Sequence, residues 1–234
     1  MPDPNRERLV RAVKALAALD VRRVFLGGAT VGLHIREDLL GAFARATKDV
    51  DCIVPIESQF DWAEFENKLR TAHFKNDPER KTIIRFEFDG ELYDFLPYGR
   101  KLSGLLGFDI TFHREAYENA TEMEIAPGHS TLVAPLEYLL ATKVTAYRDR
   151  GADDPYTSKD LEDLVTLLIG SPWKAALSGA PAPVREAMGT WAEEFLARCR
   201  HKDVIDAHIP GGPNRAAFTK LVVTALEEIA SYAT

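Results

Sequence analysis

Apolar positions in this chain recur at helical spacing in some stretches and at every second residue in others, and the changes of period mark its elements. Leu9, Val10, Val13, Leu16 and Ala17 keep helical spacing over 6–19, and the apolar run Val24-Phe25-Leu26 stops at Gly27-Gly28, predicting helix, strand and glycine turn. A helical stretch follows toward Ala46, residues 49–56 read as a strand ended by Pro55, and residues 60–72 as an amphipathic helix. Over 82–97, Asp89-Gly90 between two alternating runs predicts a two-residue hairpin that pairs Phe88 with Glu91, Phe86 with Tyr93 and Ile84 with Phe95. The same register sets Asp94 opposite Arg85 and Glu87 opposite Leu92. Past Pro127 the pattern is helical at 134–149, 158–169, 182–200 and 214–232, with 171–183 a flexible, Pro- and Gly-containing connector.

The expected fold class is therefore α/β (α+β): a small mixed β-sheet with flanking helices over 1–126, and a C-terminal helical bundle over 127–234. With 234 residues, 46% hydrophobic and 28% charged, the chain has the composition of a globular protein that buries a real core. Charges interrupt every apolar stretch well before the roughly 18 residues of a membrane span. They also occupy the N-terminus where a signal peptide has its apolar region, so the expectation is a cytoplasmic protein without a membrane partner. A net charge of −7 argues against nonspecific coating of nucleic acid. Cys52 and Cys199 lie far apart without metal-like spacing, which argues against zinc and a disulfide framework. The six histidines show no clustered spacing and read as surface or structural residues. No Walker-type loop, Rossmann fingerprint or nucleophile elbow is present.

Chemistry gathers in Thr47-Lys48-Asp49-Val50-Asp51-Cys52-Ile53-Val54. On a strand, alternation puts Asp49 and Asp51 on one face and Val50, Cys52 and Val54 on the other. Carboxylates so close repel unless a cation holds them, and hard oxygen donors suit Mg²⁺ or Mn²⁺. Asp94 offers a third carboxylate from the less apolar face of its hairpin. The bland alternative is an exposed strand edge, with Asp94 merely half of a cross-strand pair with Arg85.

The ordered set LGGATV (26–31), TKDVDCIV (47–54), the strand acid in LYDFLP (92–97), LLATKVTAY (139–147) and SKDLEDLVTLL (158–168) resembles the nucleotidyltransferase superfamily of polymerase-β-like folds. More closely, it is similar to the AbiEii/AbiGii-type toxin nucleotidyltransferases. Twenty residues separate Gly28 from Asp49, longer than the superfamily's usual spacing, which implies an insertion across 32–46. The resemblance implies transfer of a nucleoside monophosphate from a nucleoside triphosphate to a hydroxyl acceptor, an RNA such as tRNA or a protein, with pyrophosphate released. It further implies a toxin–antitoxin or phage-defence role with a cognate antitoxin. Asp49, Asp51 and Asp94 would ligate the metal, and Gly27, Gly28 and Thr30 would receive the triphosphate.

In the helical half, Lys143 falls in line with Leu136, Leu139, Leu140 and Tyr147 on the apolar stripe. It either snorkels to solvent or, as the resemblance implies, meets the β- and γ-phosphates between the lobes. Asp160 reads equally as the acid of a capping box begun by Thr157 or as a site residue orienting Lys143 or the acceptor. Arg148, Arg150 and Lys159 form either a positive rim for RNA or a solvated face. Two rival functions use the same residues: a two-metal phosphohydrolase, and a catalytically inactive binding or antitoxin-like module.

Overall fold

The computed structural model describes residues 4–76 and 82–233. They divide into a sheet unit, Met1–Leu33 with Arg45–Pro135, and a helical unit, His34–Ala44 with Leu136–Thr234. The sheet unit runs α1 (Pro4–Ala15), β1 (Val24–Leu26), a 3₁₀ turn at Gly28–Thr30 and the first residues of α2 (Val31–His34). After α3 (Glu37–Phe43), which belongs to the helical unit, come β2 (Asp49–Val54), α4 (Gln59–Thr71), β3 (Lys75–Asn76), β4 (Arg85–Phe88) and β5 (Glu91–Pro97). Then follow α5 (Ser103–Leu106), α6 (His113–Glu118), β6 (Thr121–Ala126) and β7 (His129–Val133).

Among the described residues the sheet has seven strands in the order β3-β4-β5-β2-β1-β7-β6. The β2–β5 and β1–β7 pairs are parallel and the rest antiparallel. Alternation fixes the faces. Val50, Cys52 and Val54 of β2 join Phe25, Phe86, Tyr93 and Phe95 in one apolar layer, covered by Leu9 and Ala12 of α1, by Leu16 in the 3₁₀ turn that follows it, and by Trp62, Phe65 and Leu69 of α4. Aromatic edges lock this layer, Phe65 on Phe95 at 5.2 Å between centroids and Phe74 on Tyr93 at 5.4 Å. The acidic positions of β2 and β5 are left for the opposite face.

The hairpin has the register that its sequence predicts, with Phe86 paired to Tyr93, Arg85 to Asp94, Glu87 to Leu92 and Phe88 to Glu91. Phe95 N donates to Ile84 O at 3.0 Å, extending the pairing by one rung. Asp89 and Gly90 have φ of 52° and 77°, the doubly positive backbone that makes Asp-Gly the favoured dipeptide of such a turn.

The helical unit comprises α3, α7 (Leu136–Ala146), a π-helical turn (Tyr147–Gly151), α8 (Lys159–Gly170), α9 (Trp173–Gly179), α10 (Ala182–Leu196), α11 (His201–Ala207) and α12 (Arg215–Ala230). Its core holds Leu139, Leu164, Leu167, Met188, Trp191, Phe195 and Ile229. The inserted segment is part of this unit: Arg36 N donates to Gly170 O at 3.1 Å, and Phe43 sets its ring edge-on to Phe218 at 5.1 Å. Among the described residues no helix is long and apolar enough to cross a membrane.

Two differences from the sequence expectation are physical. Residue 127 lies in the turn between β6 and β7, and the sheet unit runs on to Pro135. The edge strand β6 and its neighbour β7 carry exposed Thr121, Glu122, Glu124, His129 and Ser130, so their alternation is too weak to read. The 171–183 connector contains α9, a helix whose Leu177 is fully buried.

His113, buried at the start of α6, lies with Nδ1 3.2 Å from Pro97 O, which fixes Nδ1 as the protonated nitrogen because a carbonyl only accepts. Burial lowers its pKa to about 4, against the opposing pull of Pro97 O, Asp109 and Glu115. The unfolded chain thus takes up a proton near 6.5 that the folded chain refuses until about 4. The stability contribution is complete above pH 6.5 and is lost as pH falls through this window, about 3 kcal/mol in all. Urea unfolding at stepped pH should show this slope, and His113→Gln should flatten it. An unchanged slope in the variant would assign the effect elsewhere.

Candidate active site

Parallel pairing of β2 with β5 sets Asp51 opposite Asp94 and Asp49 opposite Leu92, so the three aspartates share the face away from the aromatic layer. β1 lies on the other side of β2, with Leu26 opposite Asp51. The chain then bends at Gly27, whose φ of +79° favours glycine. A Cβ built at Gly27 would overlap Asp51 Oδ2, and one at Gly28 would stand 2.6 Å from Arg45 Nη2 and 2.7 Å from Thr47 Cγ2. Gly27 is thus required by the acid strand that packs against it, and Gly28 meets the side chains that lead into that strand. Thr30, 0% exposed, donates its hydroxyl to Gly27 O at 3.0 Å. The hydroxyl expected at a triphosphate braces the turn instead.

Arg85 organises the acid face. Its Nε donates to Asp94 Oδ1 at 2.7 Å, and its Nη2 donates to Asp94 Oδ2 at 2.6 Å and to Asp49 Oδ2 at 2.9 Å. Hydrogen bonds to Asp94 and the nearby charges hold the guanidinium above its ordinary value despite the opposing effect of burial. Among the described residues no group of three or more His, Cys, Asp or Glu side chains is placed to hold a metal ion. The cation that Asp49 and Asp94 share is Arg85. The donor chemistry nevertheless fits a divalent ion, because carboxylate oxygens from two strands already meet on one cationic nitrogen.

Sequence reasoning missed Asn5, which sets the entry to β2. Buried at the start of α1, it donates Nδ2 to Arg45 O at 2.8 Å and accepts from Thr47 N at 3.0 Å. No short-range signal announces a clamp between residues forty apart.

In the helical unit Lys143 is 6% exposed, so its ammonium does not snorkel. It lies 3.0 Å from Asp160 Oδ1 and 2.6 Å from Asp163 Oδ2. Arg150 joins this cluster, its Nε donating to Asp160 Oδ2 at 2.8 Å. Burial pushes the Asp160 pKa up, but Lys143 and Arg150 outweigh it and hold the carboxyl below its usual range. The N-cap of α8 is Ser158, whose Oγ accepts from Leu161 N at 3.3 Å, so Asp160 is not the acid of a capping box begun by Thr157. Thr157 bonds Asp154 instead, at 2.7 Å. Asp163 was missed as a partner; its spacing three residues after Asp160 is the signal that finds it. Of the expected positive rim, Arg148 pairs with Glu194 at 2.8 Å and Arg150 with Asp160, while Lys159 is exposed. The Cys52 thiol is buried and pushed upward by desolvation, which suits packing and not nucleophilic work.

No protein-family model matches the chain, and no curated protein does. Among solved structures, a nucleotidyltransferase-like antigenic protein from Paracoccidioides brasiliensis is similar at 17% identity, covering 90% of this chain and 95% of its own, with a TM-score of 0.49. The antibiotic-resistance factor ANT(2'')-Ia is similar at 15% identity over 84% of this chain and 96% of its own, with a TM-score of 0.48. JHP933 from Helicobacter pylori is similar at 15% identity over 97% and 91%, with a TM-score of 0.45. These likenesses are remote; the chain's chemistry is decided by its own side chains.

Lys143 pairs with two buried carboxylates, so its removal takes a cation away from acids held in a poor dielectric. Lys143→Met is expected to destabilise the chain by about 3 kcal/mol, and pairing it with Asp163→Asn should restore part of that loss. Chemical denaturation of both variants checks this. A Lys143→Met loss below about 1 kcal/mol, the scale of a surface pair, would remove the structural role.

Proposed function

We propose that the chain is a metal-dependent nucleotidyltransferase that moves a nucleoside monophosphate from a nucleoside triphosphate to a hydroxyl acceptor and releases pyrophosphate. One observation carries the reading. Asp49 and Asp94, from neighbouring parallel strands, converge on a single cationic nitrogen, with Asp51 on the same face against Gly27. A sheet that merely exposes acids has no reason to keep the residue beside one of them free of a side chain.

In this reading Asp49 and Asp51 would hold Mg²⁺ or Mn²⁺ from β2, and Asp94 from β5. The bound ion supplies Lewis-acid polarisation of the α-phosphate and compensation of the charge on the leaving pyrophosphate. The bend at Gly27-Gly28 lets backbone approach the phosphates where a side chain would intervene. Asp94, the most buried of the three acids, takes the proton of the acceptor hydroxyl after Arg85 releases one of its oxygens. The finer assignments follow the sequence resemblance alone: AbiEii/AbiGii type, an RNA such as tRNA or a protein hydroxyl as acceptor, and the toxin role with a cognate antitoxin.

A catalytically inactive module is the reading that Arg85 favours, since its guanidinium takes up both oxygens of Asp94. The two readings part on one measurement. The chain is incubated with each labelled nucleoside triphosphate, Mg²⁺ and total cellular RNA or protein, and both label uptake and pyrophosphate release are followed. Label should enter one pool, and Asp51→Asn, which keeps the shape beside Gly27, should reduce it by about a thousandfold or more. Undiminished labelling in Asp51→Asn would end the reading, and release of orthophosphate without labelling would favour a phosphohydrolase.

A further inference from the structure

Arg85 stands on β4, the neighbour of β5 on the side away from β2. To touch Asp49 its side chain crosses the whole of β5. Cross-strand pairing alone explains the bidentate contact with Asp94 but not this longer reach. The single nitrogen Nη2, shared by oxygens of β2 and β5, takes the position that any cation common to the two acids must occupy.

We propose that Arg85 is the resident counter-ion of the acid face, and that a divalent cation binds only by displacing it, so that one side chain gates metal loading. The inference rests on reading the acid face as a metal site. Like charges on adjacent strands repel, and a cation must hold Asp49 beside Asp94. A guanidinium does so with one unit of charge and fixed fork geometry, whereas a divalent ion brings twice the charge in less space. The contacts differ in strength. Asp94 receives two charge-assisted bonds in a fork and is the more buried partner, with an 11% exposed side chain. Asp49 receives one bond and its side chain is 35% exposed, the class of pair that exchanges most readily with solvent and ions. Release therefore begins at Asp49 and ends at Asp94. Arg85 acts through the acids and is a positioning residue.

Mn²⁺ binding, followed by loss of the free-ion electron paramagnetic resonance signal, tests this apart from activity. Arg85→Gln should bind Mn²⁺ at least about tenfold more tightly than the native chain, and Arg85→Lys, with a charge but no fork, should fall between. Asp51→Asn should abolish binding in the native and the Arg85→Gln background. Equal or weaker binding by Arg85→Gln, with Asp51-dependent binding in the native chain, would overturn the gate and leave the metal reading standing. No Mn²⁺ on either chain would remove the metal reading and the gate with it.

A second measurement needs no altered fold. In a Mg²⁺ titration of the native chain, the ¹⁵N-resolved Arg85 Hε resonance, identified by its loss in Arg85→Lys, should shift to saturation and exchange faster with water. A resonance that does not respond while Mg²⁺ binds would overturn the proposal.

Discussion

Two carboxylates at the same register of neighbouring parallel strands repel each other, and the sheet unit is arranged around that repulsion. Asp51 and Asp94 are rung partners, with Asp49 one alternation away on the same face. Parallel pairing requires a long connection, and here α4, β3 and β4 supply it between β2 and β5. That connection places α4 on the aromatic face, where Trp62, Phe65 and Leu69 are buried, and brings β4 alongside β5 with Arg85 opposite Asp94. The topology that sets the acids together thus also delivers the cation that holds them.

The opposite face keeps this charged arrangement in place. Val50, Cys52 and Val54 alternate with the aspartates, so a one-residue slip of β2 would bury the acids against Phe86 and Phe95. Burying an unpaired carboxylate costs far more than any rung of backbone hydrogen bonding returns. Register is therefore set by the same alternation that makes the site. The glycine bend adds a second constraint, since Asp51 fills the space that a Cβ at Gly27 would need.

Features governed by short-range rules were legible in the sequence. The hairpin register followed from Asp89-Gly90, the two faces of β2 from alternation, and α4, α8, α10 and α12 from helical periodicity. The inserted segment between Gly28 and Asp49 was visible as length, but its membership of the helical unit rests on distant contacts such as Arg36 N with Gly170 O. Asn5 with Arg45 and Thr47 is likewise a clamp across forty residues. Arg85 was visible only as a cross-strand partner of Asp94, because its second contact depends on the parallel β2–β5 pairing. Lys143 was rightly singled out as a cation on an apolar stripe, whereas its partner Asp163 was legible only through its spacing from Asp160 on α8.

Each unit therefore holds a basic side chain among acids, and burial decides what each can do. Lys143 and its partners Asp160 and Asp163 have side chains 7%, 4% and 2% exposed, a regime in which separating the charges costs several times thermal energy and the pairing persists. Arg85 and Asp49 are 25% and 35% exposed, where water and mobile ions compete on nearly equal terms. A site that must exchange one cation for another needs the second regime, and a helix pair that must stay docked needs the first. On this ground the buried ammonium is an anchor between α7 and α8, and of these two clusters the one on the acid face of the sheet is the one whose cation can exchange.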